Sequence, residues 1–138
     1  MNVIEAYKYI AEIMTNPSKL NGRDTNLLLN SMYRGVGIER LPELLGHEDK
    51  RIRLAGGFIL FELNPENFLH LNHFWIDAMA SEDPSLQYDS AKSILDHEAF
   101  RPCYLEGMMR LRQSDVSLIR EVAEDWIQEY SQHKSANV

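Results

Sequence analysis

Three stretches of the chain share one register. Asp49, Asp83 and Asp115 each head an apolar stripe of the same internal spacing, and they stand 34 and 32 residues apart. Repetition at that period marks stacked helix pairs, because a unit of that length buries its apolar face only against its neighbours. Three residues beyond each aspartate stand Ile52, Leu86 and Leu118. Seven and eight beyond stand Gly56-Gly57, Ser90-Ala91 and Val122-Ala123. Eleven and twelve beyond stand Leu60-Phe61, Ile94-Leu95 and Trp126-Ile127. On a helix these positions gather into one face with the small residues at its centre. Such small side chains predict close approach by helices of neighbouring repeats. The glycine pair costs a helix about 2 kcal/mol against alanine, and close packing is expected to offset that. Each aspartate is placed to accept bonds from the free amides of the helix it opens.

The rest of the chain reads as helices too. Val3, Ala6, Tyr7, Ile10, Ile13 and Met14 predict a first helix from about Asn2 to Met14, ended by Asn16-Pro17. A second should start at Asp24 or Thr25 as cap and run through Leu27, Leu28 and Met32 to Tyr33. Gly35 and Gly37 break it. Residues 1–36 would then be an N-terminal helix pair. Repeats follow at 37–66, 67–100 and 101–131, their first helices carrying Leu41, Leu44 and Leu45, then Phe68 to Met79, then Tyr104 to Leu111. The polar tail 132–138 is expected to fray. The expectation is one domain over 1–138: all-α, a short right-handed α-solenoid of three degenerate helix pairs behind the capping pair.

The first repeat, Asp49-x-x-Ile52-Arg53-x-x-Gly56-Gly57-x-x-Leu60, resembles the HEAT/armadillo-like helical repeats. Its Arg53 has no counterpart at the equivalent later positions, Gln87 and Ile119. The likeness covers about residues 38–131. It implies an α-solenoid and macromolecular binding, and it implies no particular reaction.

Charge narrows the partner. The net charge is −7, and residues 54–100 hold eight acids against the single base Lys92. A field of that sign repels nucleic acid and anionic membranes and attracts basic proteins. The small basic clusters at Lys50, Arg51, Arg53 and at Arg101, Arg110, Arg112 have acids nearby and do not form a phosphate track. No window approaches a membrane span, the N-terminus lacks the apolar core of a signal peptide, and Cys103 is the only cysteine. A cytoplasmic protein is the expectation.

Catalytic signals are sparse. His70 and His73, with Glu66 one turn before, have a spacing that two zinc ligands can use, but chance pairs of this kind are common. Cys103 follows Pro102 in an apolar run that reads as core. No nucleophile elbow, Walker A loop or dinucleotide fingerprint is present. No metal, cofactor or small-molecule substrate is therefore expected.

Positions two, six, nine and thirteen beyond each aspartate should face away from the core. They are Arg51, Ala55, Phe58 and Glu62; Ser85, Asp89, Lys92 and Asp96; and Ser117, Glu121, Glu124 and Gln128. From this row, Phe58, Glu62, Asp89, Lys92, Asp96, Glu121, Glu124 and Gln128 form the expected protein-binding surface, an aromatic anchor beside carboxylates. Size, charge and the repeat likeness together resemble bacterial immunity proteins, which implies a basic, nuclease-type toxin as partner. A HEAT-like adaptor or assembly scaffold is the alternative, and a HEAT-like enzyme of lyase or glycosylase kind is a third.

Overall fold

The computed structural model describes residues 1–136. Eight α-helices account for most of them: α1 (Val3–Thr15), α2 (Gly22–Tyr33), α3 (Leu41–Leu45), α4 (Lys50–Glu62), α5 (His73–Met79), α6 (Pro84–Asp96), α7 (Leu105–Leu111) and α8 (Ser117–Ala136). Short 3-10 turns fill several of the connections, and no strand occurs among the described residues. The contacts divide the chain into two compact units, Met1–Ile59 and Leu60–Val138.

In the first unit, α1 opens with a capping box in which Asn2 and Glu5 satisfy each other's backbone amides. Its buried face is Ala6, Tyr9, Ile10 and Ile13. Tyr9 takes the place expected for Tyr7, and its hydroxyl meets Thr25 Oγ1 at 2.9 Å. Tyr7 instead bonds Glu39 and lies under the Arg40 guanidinium. The cap of α2 is Asn21, not Asp24 or Thr25; its side chain accepts from the Asp24 amide. Gly35 and Gly37 both take positive φ, which other residues reach only with strain.

In the second unit, α6 packs against both α5 and α8, and α7 packs on α8. Two tryptophans sit in that core. Trp75 on α5 is fully buried and donates to Ser93 Oγ on α6. Trp126 on α8 donates to the Ala99 carbonyl and stacks on Tyr130. The predicted first helix of the second repeat is broken: residues Leu69–Leu71 form a 3-10 turn, and α5 starts only at His73. α8 runs to Ala136, into the tail expected to fray; Asn137 and Val138 lie outside the described residues.

The start of the third repeat's second helix needs one correction. Lys50 and Pro84 each follow their aspartate directly, but α8 starts at Ser117, two beyond Asp115. Ser114 Oγ holds the Val116 amide, and the first helical bond of α8 runs from the Arg120 amide to the Val116 carbonyl. Val116 is thus the positional equivalent of Asp49 and Asp83. Leu118, expected inside, is 59% exposed, and Ile119 takes its place at 1%. The same shift reveals a repeated tie. Arg53, Gln87 and Arg120 each stand four beyond the cap, and each donates to a turn carbonyl six residues back: His47, Ser81 and Ser114. Arg53 therefore does have counterparts.

Candidate protein-binding surfaces

The acidic charge belongs to one unit. Residues 1–59 hold seven acids and eight bases, a net +1; residues 60–138 hold fourteen acids and six bases, a net −8. Within the second unit, α6 begins with Asp83 accepting from the Ser85 amide at 2.9 Å and Pro84 at the first helical position. That start places Asp89, Lys92 and Asp96 away from the buried Leu86, Ser90, Ser93 and Ile94. Lys92 is engaged by Asp96 at 3.0 Å. That hydrogen bond raises the lysine's pKa despite some burial, and Asp125 of the neighbouring helix adds to the effect.

Glu121, Glu124 and Gln128 are exposed on α8 as expected, and Glu62, the last residue of α4, is half-buried. Counted from Val116, just before α8 starts, Asp125 also matches Phe58 and Lys92, and Glu129 matches Glu62 and Asp96. Both are exposed and neither was among the expected site residues. Glu121, Asp125 and Glu129 recur every four residues and make one carboxylate stripe along α8.

Asp89 departs from expectation. It is half-buried, and burial followed by repulsion from Asp83 pushes its pKa up to about 6. The fold thus favours its protonated form. The stability this gives is present below pH 4 and is lost as pH rises through about 6. After discounting for partial exposure, the ionised carboxylate costs about 1 kcal/mol at pH 7. Asp89→Asn should recover that amount in urea denaturation at pH 7 and flatten the profile between pH 4 and 6. An unchanged profile would show that Asp89 is fully solvated.

In the first unit, α4 carries two apolar faces. Ile52, Gly56 and Ile59 are buried, while Leu54 and Phe58 remain 41% and 40% exposed. Arg51, Leu54, Ala55 and Phe58, at helical spacing, form one side of an open groove of about 540 Å³. Leu20 and the first turn of α2, from Asn21 to Asn26, form the other. The single charged side chain of its lining, Arg51, is already paired with Asp49, whose carboxyl this bond holds down at about 2.

The sparse catalytic candidates fare as follows. His70 and His73 fall on different elements, and Glu66 is gripped by both sides of the Arg101 fork at 2.8 and 2.7 Å. Among the described residues no three His, Cys, Asp or Glu side chains gather as a metal site would require. Cys103 is exposed instead of core, with Asn72 Nδ2 3.5 Å from its sulfur. Partial burial of the thiol raises its pKa, away from thiolate chemistry. No described helix is long and apolar enough to cross a membrane. No family model, curated protein or solved structure matches the chain.

Proposed function

We propose that the chain is a protein-binding module of HEAT-like, right-handed solenoid type, and that it acts as an immunity protein neutralising a basic, nuclease-type toxin. The observation that carries the reading is the concentration of charge: the second unit bears −8, and its α8 presents an exposed carboxylate stripe. Carboxylates so arranged stand in for the phosphates that a nuclease cleft is built to hold. They speed encounter and select a partner of opposite sign. The three Asp- or turn-headed helices, with their common tie from the fourth helical position to the turn, support the repeat frame. The exposed Leu54 and Phe58 supply apolar contact area of the kind that carries binding energy in interfaces.

The test combines capture and charge reversal. A native pull-down should enrich a basic protein whose nuclease activity the chain blocks at equimolar ratio. The triple variant Glu121→Lys, Asp125→Lys, Glu129→Lys should keep its helical circular dichroism and bind at least 100-fold more weakly. Raising salt from 0.05 to 0.5 M should weaken the wild-type complex alone, since the field is screened. Equal affinity of the triple variant, or an acidic partner, would remove the reading.

A further inference from the structure

A second recess, of about 450 Å³, lies in the second unit where α6 ends. Its walls include Glu66, His97, Glu98, Phe100, Arg101 and His133. Arg101 is spoken for by Glu66, through two parallel bonds. The His97 ring is fixed by its Nδ1, which lies 2.8 Å from the Ser93 carbonyl. The His133 and Phe100 rings pack 5.5 Å apart and line one side as an aromatic surface.

Glu98 is the unusual wall. The chain leaves α6 with a left-handed residue after His97: the Glu98 amide bonds the Leu95 carbonyl and the Ala99 amide bonds the Ile94 carbonyl. Glycine fits that position without strain, yet it is filled by glutamate at φ 54°, the single non-glycine residue with positive φ among those described. The chain thus holds an exposed carboxylate at a strained position on the rim of a recess. With Glu66 cancelled by Arg101, Glu98 leaves the recess formally at −1. The C-terminal end of α6 adds partial negative charge beside it. A negative recess with an aromatic wall suits a planar cation, because a guanidinium can stack on rings while it forks onto a carboxylate, whereas an ammonium pairs only as a compact point charge.

We propose that this recess receives an arginine side chain of a protein partner, its guanidinium against the Phe100 and His133 surface with Glu98 as counter-ion. The proposal rests on the reading of a basic partner and names where one of that partner's charges is held.

N-acetyl-arginine-N′-methylamide is the probe, followed by NMR on the full chain. Saturable shifts at Phe100, Glu98 and His133, with millimolar affinity, are expected. The neutral citrulline analogue should bind at least tenfold more weakly. Glu98→Gly should also weaken the probe at least tenfold while raising the melting temperature by roughly 2–4 °C, because it relieves the left-handed strain. Equal binding of the citrulline analogue, or full binding by Glu98→Gly, would overturn the assignment. Free arginine binding tenfold more tightly than the capped residue would also overturn it, since the site would then recognise the free amino acid. If Glu98→Gly leaves both probe and partner affinity unchanged while the α8 triple variant loses the partner, this inference fails and the functional reading stands. A captured partner that is not basic sinks the functional reading itself.

Discussion

Ser93→Ala is expected to cost about 2–4 kcal/mol, well above the usual effect of removing one hydroxyl. Ser93 is fully buried on α6, and besides a longer contact to His97 Nδ1 at 3.5 Å its Oγ makes two shorter bonds. It accepts from the Trp75 indole at 3.2 Å and donates to the Leu63 carbonyl at 3.0 Å, so it links three segments of the second unit. Alanine would leave a buried N–H and a buried C=O without partners, and each such group costs about 1–3 kcal/mol. Ser90 on the same helix is equally buried, but its hydroxyl only returns to carbonyls of its own helix, Leu86 and Gln87, which already sit in the helix ladder. Ser90→Ala should therefore cost less than about 1 kcal/mol, since alanine is the better helix former. Urea denaturation of the two variants decides the matter. Similar losses would mean the Trp75–Ser93–Leu63 chain is not cooperative. Adding Trp75→Phe to Ser93→Ala should cost less than the sum of the two single changes, because one orphaned group is then already gone.

Gly56→Ala should destabilise by about 1–3 kcal/mol, even though alanine normally gains a helix about 1 kcal/mol. A Cβ at Gly56 would sit 3.0 Å from Leu44 Cβ and 3.2 Å from the Leu45 amide nitrogen. Both are fixed to the α3 backbone and cannot move without shifting that helix. The crowding is thus with the first helix of its own pair, not with a neighbouring repeat as the sequence had suggested. Gly107→Ala is the control. Its new Cβ would lie 2.8 Å from Met79 Cε, the free end of a flexible side chain that can swing aside. That variant should stay within about 1 kcal/mol of wild type. Thermal melts in which Gly107→Ala is the worse of the two would contradict the packing described for α3 and α4.

Helix existence and the placement of most core residues were legible in the sequence, because apolar spacing reports which side of a helix meets the core. Ile52, Leu86, Ile94 and Trp126 are buried as their spacing demands. Only the start of the third helix was misplaced: Leu118 at its first turn is exposed, while Val122, Ala123 and Trp126 are buried and Glu121, Glu124 and Gln128 exposed as expected. Asp115 looks like Asp49 and Asp83 in one dimension, but Ser114 holds the Val116 amide and moves the helix start by one residue. That single step hid Asp125 and Glu129 from the expected surface and placed Leu118 in the core. Exposure of Phe58 followed from its position opposite Gly56, but its groove did not. The groove depends on Leu20 and Asn21, some 30 residues away in sequence, lying beside α4. The recess at Glu98 was equally invisible, because a left-handed glutamate has no signature in composition or spacing.

The uncovered stripe on α4 bears on how the chain behaves as its concentration rises. Leu54 and Phe58 leave apolar area open to water along one groove, and a contiguous stripe of that kind favours self-association.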